Sequence, residues 1–168
     1  AYQTDVKRLL AYSSVAQIGY MALGIGMASA LGVTASIVHL FNHALMKGAL
    51  FMAVGALIYR VGACRIHDIR GLGRRMPWTM VAFTVGAFGM IGAPPIAGFI
   101  SKWYLGLGAL DTDQSWVIIV LAGSSLLNAA YFLPIVYQTF FAEPNPDDIG
   151  PGPDKMEEAP LLAVVPPV

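Results

Sequence analysis

His39, His43 and Lys47 stand at i, i+4 and i+8 in the stretch HLFNHALMKGALF, residues 39 to 51. On a helix these positions stay on one side and extend over about 12 Å of its axis. The spacing makes a polar stripe of titratable groups. Two histidines one turn apart are able to ligate a metal or haem iron together, as in zinc-protease helices. A lone lysine could instead act as counter-ion to an anionic substrate. A proton relay uses all three residues, because each takes up and releases a proton. The metal reading lacks a third ligand and sets a cation beside a lysine, and the counter-ion reading leaves the histidines without a role.

What surrounds the stripe makes it unusual. No Asp, Glu, Lys or Arg occurs between Leu9 and Met46, and 57% of the 168 residues are hydrophobic against 12% charged. A bilayer core needs roughly 20 apolar residues per helical span. Runs close to or above that length cover Leu9 to Leu31, Val33 to Tyr59, Pro77 to Ser101 and Gln114 to Ala142. The composition therefore predicts an all-α, polytopic transmembrane bundle of about five segments. Lys47 falls near the middle of its run, where insertion of a charge costs about 2.5 to 3.5 kcal/mol. Intramembrane ionisable residues are functional by default.

A second lysine, Lys102, is the one charge between Pro77 and Leu110. That run is too long for one ordinary span and is interrupted by GAPPIAG, where Gly92 loosens the backbone and Pro94 and Pro95 remove donors. The part from Ile96 to Leu110 is 15 residues, about 22 Å of helix, and reads as a half-helix. Short, interrupted segments of this kind point to ion sites in transporters. Two further faces are polar: Ser13, Gln17 and Tyr20 in the first span, and Ser124, Asn128 and Tyr131 in the last, which also carries Pro134 as a candidate kink. These groups either hydrogen-bond neighbouring helices or line a channel.

The connecting segments set topology and exclude other classes. Thr4 and Asp5 are candidate N-caps ahead of Lys7 and Arg8. Residues 59 to 77 hold five arginines against one Asp, a basic loop expected on the cytoplasmic side. Two spans separate it from Lys7 and Arg8, so the two basic stretches share a face. Residues 143 to 160 form an acidic Pro/Gly-rich loop, whose acidity weakly favours the opposite face, and residues 161 to 168 begin a further helix. The opening without Met and the closing apolar run read as an internal piece of a longer chain. Zero net charge and the lack of a basic patch interleaved with aromatics argue against nucleic acid. Cys64 alone offers neither a disulfide nor an iron–sulfur or zinc pattern, so no cofactor is expected in this chain.

The motifs DVKRLLAYSSVAQIGYM, HLFNHALMKGALF, IRGLGRRMP and GAPPIAGFISKWYL, in this order and spacing, closely resemble the antiporter-like membrane subunits of respiratory complex I, membrane-bound hydrogenases and Mrp-type sodium/proton antiporters. The resemblance implies a bundle built on two inverted repeats, each with a broken helix. Residues 1 to 142 would supply most of the second repeat. It implies that Lys47 is the buried lysine of the second half-channel, with His39 and His43 beside it. Lys102 would be the charged residue of the broken helix, which is lysine in some members and glutamate in others. The glutamate–lysine pair of the first repeat lies outside this sequence, so this chain is not expected to pump alone. The partners implied are other membrane subunits, protons, sodium in some members, and the lipid of a bacterial or archaeal inner membrane, with redox chemistry left to separate subunits. A haem- or metal-binding anchor using His39 and His43, and a spacer with an inactive channel, are the competing readings.

Overall fold

A computed structural model describes residues 4–61 and 65–142. The acidic loop and the last apolar run lie outside the described residues, as does Cys64. Six α-helices follow in order: α1 Val6–Gly26, α2 Ala30–Val61, a short α3 Leu72–Arg75, α4 Pro77–Ile91, α5 Ala97–Asp111 and α6 Trp116–Phe141. A 3-10 turn, Ile66–Ile69, precedes α3. Three of them, α1, α2 and α6, are long and apolar enough to cross a membrane.

The chain keeps an apolar core but, unlike a water-soluble bundle, also turns large apolar side chains outward and buries polar ones among the helices. Gln17 and His39 are 0% and 1% exposed, whereas Ile18, Phe41 and Ile119 are 58%, 66% and 76% exposed. Lipid accepts the outward Ile and Phe side chains, and polar groups that lipid would penalise turn inward.

α1 starts earlier than its apolar run because Asp5 caps it, accepting from the Lys7 and Arg8 N–H groups at 2.8 and 3.3 Å. It crosses α2 where both backbones are bare. A Cβ on Gly24 would meet the Gly32 carbonyl oxygen at 2.7 Å, so small residues set how closely the two helices approach. Ser36 secures the crossing by donating to Met21 O at 2.9 Å and Gly32 O at 3.0 Å.

The run from Pro77 to Ser101 is not one span. Pro77 starts α4 at a position where its missing N–H is no loss. The helix stops at Ile91 because Gly92 turns left-handed at φ 86°, and the Ala93 N–H folds back to Phe88 O at 3.1 Å. After residues 92–96 the chain resumes as α5. Each half is 15 residues long, about 22 Å, so the two make a single crossing in series. The expected half-helix and its break thus lie where GAPPIAG placed them.

Two apolar clusters occupy the ends of the bundle. One gathers Leu10, Leu50, Leu57, Leu72, Met80 and Phe132, and the other Tyr20, Met27, Ala35, Leu105 and Leu121. The basic turn belongs to the first end, since the backbone of Arg65 pairs antiparallel with that of Asp5 and the Ile66 N–H donates to Thr4 O at 2.9 Å. Lys7, Arg8 and the basic segment therefore share one end, as their spacing requires. α6 returns to that same end: the Gly71 N–H donates to Gln138 O at 3.2 Å, and a Cβ on Gly73 would strike the Phe140 ring. α6 thus ends at the basic end, and the face of the acidic loop expected from its charge lies outside the described residues. A broken helix counts as one crossing, so the next helix comes back.

Candidate functional site

Between the two apolar clusters lies a belt of buried polar side chains. α1 contributes Ser13 and Gln17, α2 His39 and Lys47, α5 Ser101 and Lys102, and α6 Asn128, all buried. Helical spacing explains much of the grouping: Ser13 and Gln17 fall between Leu10 and Tyr20, His39 between Ala35 and Met46, and Asn128 between Leu121 and Phe132, residues that enter the two different clusters.

His39 is the belt's crosspiece. Its Nε2 pairs with Gln17 Oε1 at 2.9 Å and its Nδ1 with Ser101 Oγ at 2.8 Å, tying α1, α2 and α5 together. With Gln17 Oε1 as acceptor, Nε2 carries a proton. A neutral ring then accepts at Nδ1 from the Ser101 hydroxyl. An imidazolium donates there instead and leaves Ser101 to donate to Gly98 O at 3.2 Å. Rotation of one hydroxyl satisfies either state. Tyr20 meets the His39 ring edge-on at 5.3 Å, and His43 stacks on it at 6.3 Å, nearly parallel. His43 is half-buried, and its Nε2, like Gln17 Nε2, is buried without a hydrogen-bond partner.

Each lysine is held by oxygens that carry no formal charge. Lys47 Nζ donates to Leu10 O at 2.6 Å and to Ser13 Oγ. Ser13 in turn donates to Leu10 O at 2.9 Å. Lys102 Nζ reaches back across the helix break, donating to Ile91 O at 2.8 Å, Met90 O at 3.3 Å and Ser125 Oγ at 2.9 Å. It thereby caps the carbonyl end of α4, where a cation is favoured. Lys102 also lies 5.1 Å from the centre of the Tyr20 ring. Asn128 donates to Met90 O at 3.4 Å and accepts from the Tyr131 hydroxyl. Tyr20 donates to Ser124 Oγ at 2.7 Å.

The structure brings together His39, Lys47, Lys102, Ser13, Gln17, Tyr20 and Asn128, with His43 and Ser124 at the margin, half-buried. Sequence reasoning missed Ser101 and Ser125, the partners of His39 and Lys102. Ser101 was adjacent to Lys102, and Ser125 precedes Asn128 by three residues on a face already marked polar, so the signal was spacing to known polar neighbours. It also missed the carbonyls of Leu10, Met90 and Ile91, which no side-chain pattern reveals. A histidine-pair ligand site would require His39 to surrender one of its two hydrogen bonds. Among the described residues no group of three or more His, Cys, Asp or Glu comes together.

Two cavities flank the belt. One of about 440 Å³ separates α1 from α6 and is lined by Tyr12, Ser13, Tyr20, Ser124, Asn128 and Tyr131 among others. The other, about 300 Å³, lies between α5 and α6 with Lys102, Gly106, Ala122 and Ser125 on its wall.

Comparison with known proteins follows the same residues. Residues 1–128 match the family model described as NADH:quinone oxidoreductase/Mrp antiporter, TM. NADH-quinone oxidoreductase subunit N of Desulforudis audaxviator is 45% identical over 139 residues, covering 82% of this chain and 28% of the relative. F(420)H(2) dehydrogenase subunit N of Methanosarcina mazei is 34% identical over 152 residues, covering 85% and 31%. Among solved structures, the Mrp complex from Dietzia sp. superposes with a TM-score of 0.81 at 36% identity, over 86% of this chain and 27% of that one. A membrane-bound sulfane sulfur reductase, an archaeal respiratory membrane complex, gives 0.77 at 34% identity, over 83% and 28%. The chain thus spans under a third of the length of these relatives.

Proposed function

Because this chain belongs to the NADH:quinone oxidoreductase/Mrp antiporter family of integral membrane subunits, we propose that its polar belt is part of a proton path in which Lys47, His39, His43 and Lys102 are the carriers. The observation that carries this reading is the pair of buried lysines held by carbonyls and hydroxyls, with no carboxylate partner among the described residues. A lysine kept for packing would sit better in an ion pair, which fixes its charge. Neutral oxygens accept from an ammonium and tolerate its discharge.

His39 and Ser101 form a hydrogen-bonded group of their own with Gln17, with Ser101 next to Lys102 in sequence and His43 one turn from Lys47, so transfer between this group and either amine would need water or side-chain movement. Protonation of one amine would repel a proton on the other, giving directed transfer where access to each is gated. Sodium exchange, and coupling either to redox partner subunits or to antiport, belong to the whole assembly. Residues 1 to 142 would supply the second of two repeats in that assembly.

The test uses the full-length subunit assembled in its complex and reconstituted into liposomes with a pH-sensitive dye. Lys47→Ala and Lys102→Ala should each nearly abolish proton flux while the complex assembles normally. Wild-type flux in either variant would remove that lysine from the path, and repeating the assay with and without sodium separates exchange from proton movement alone.

A further inference from the structure

We propose that Ser125 is the hydroxyl through which Lys102 exchanges its proton with the cavity between α5 and α6. The proposal rests on the reading of Lys102 as a proton carrier.

An ammonium has three N–H donors, and Lys102 Nζ has three acceptors: Ile91 O, Ser125 Oγ and Met90 O. A neutral amine has two N–H groups and a lone pair, so on discharge one of the three contacts must reverse. The carbonyls only accept and cannot answer a lone pair. A hydroxyl both accepts and donates, which leaves Ser125.

The neighbouring serines show why this one is distinct. Ser124 commits its proton to Val120 O at 2.7 Å and Leu121 O at 3.1 Å, and Ser13, beside Lys47, commits its proton to Leu10 O at 2.9 Å. The Ser125 hydroxyl accepts from Lys102, and its own proton has no acceptor among the described residues. It lines the cavity of about 300 Å³ together with Gly106, Leu121 and Ala122. Most of its wall is apolar, from Phe99, Trp103, Leu107 and Ile118, and Lys102 and Ser125 are the polar groups at which water entering it would be held.

The step balances without electron transfer. An N–H bond of the Lys102 ammonium breaks as an O–H bond forms on Ser125, while the original Ser125 O–H proton passes to a water in the cavity. The positive charge moves from amine to hydronium. The new Ser125 proton already points along the contact at the amine lone pair, and reprotonation runs the same step backwards.

The experiment measures proton flux in the reconstituted full-length complex for Ser125→Ala and Ser125→Thr, with Lys102→Ala alongside. Ser125→Ala should assemble normally and lose at least about tenfold in flux, and Ser125→Thr, which keeps a hydroxyl, should stay within about twofold of wild type. Wild-type flux in Ser125→Ala beside an inactive Lys102→Ala overturns the hydroxyl step and leaves the lysine's role standing. Equal losses in the Ala and Thr variants also overturn it, assigning the position to packing. Wild-type flux in Lys102→Ala removes the reading on which the proposal rests.

Discussion

An ammonium at the middle of a membrane costs about 2.5 to 3.5 kcal/mol by insertion scales, and a hydrogen bond to a charged group returns about 1.5 to 3. Two such bonds, as Lys47 makes to Leu10 O and Ser13, are enough to hold the charge without fixing it. His39 works differently, as a bridge whose loss strands its neighbours. His39→Leu leaves the Gln17 amide, whose Nε2 already lacks a partner, with no partner at its oxygen either. The expected cost is about 1 to 3 kcal/mol, read as a lower midpoint in thermal unfolding of the detergent-solubilised complex. Gln17→Leu combined with His39→Leu should cost less than the sum of the single changes, because the second removes the group orphaned by the first. Strict additivity would show that the two do not share a bond. Of this layer the sequence revealed the titratable residues, since a charge in an apolar run is conspicuous. It concealed Ser101 and Ser125, because serines are common in membrane helices and only geometry distinguishes a partner from a bystander.

At the scale of elements, the break between α4 and α5 is what puts Lys102 to use. A continuous helix would bury its own carbonyls in intrahelical bonds. Stopping at Gly92 frees those of Met90 and Ile91 for the Lys102 ammonium. Gly92 has two reasons to be glycine: its φ of 86°, and the 2.9 Å at which a Cβ would meet Lys102 Cδ. Gly92→Ala should therefore lower stability by about 1 to 2 kcal/mol from the left-handed backbone alone. It should also displace the lysine, so that proton flux falls more than stability does. A variant with reduced thermal stability and unchanged flux would mean that Lys102 does not depend on this corner. The position of the break was legible in GAPPIAG, since Gly and Pro act locally on the backbone. The full extent of the preceding helix was not, because Ala, Ile and Gly on either side of the break keep the hydropathy high and hide where the helical hydrogen bonds stop.

At the scale of the whole molecule, the path of the chain decides which groups can communicate with which side of the membrane. Counting α4 and α5 as one crossing sends α6 back to the end that carries the arginines, where Gly71 meets Gln138. The charges of residues 59 to 77 and of Lys7 and Arg8 made the shared basic end legible. Whether the broken segment crosses once or twice was not, because length and hydropathy fit either count and it is the contacts of Gln138 with Gly71 and of Phe140 with Gly73 that separate them. Side-specific labelling checks this in the full-length protein in sealed membrane vesicles of known orientation. In a background with Cys64 replaced, Arg70→Cys and Phe141→Cys, both exposed, should react with an impermeant maleimide from the same side. That side should be the cytoplasmic one, by the excess of arginine in the loop. Asp113→Cys, in the exposed turn between α5 and α6, should react only from the other. Labelling of positions 70 and 113 from one shared side, with position 141 reacting from the other, would require α4 and α5 to cross separately. Lys102 would then no longer lie at a mid-membrane joint, and the two lysines would lose the common layer on which transfer between them depends.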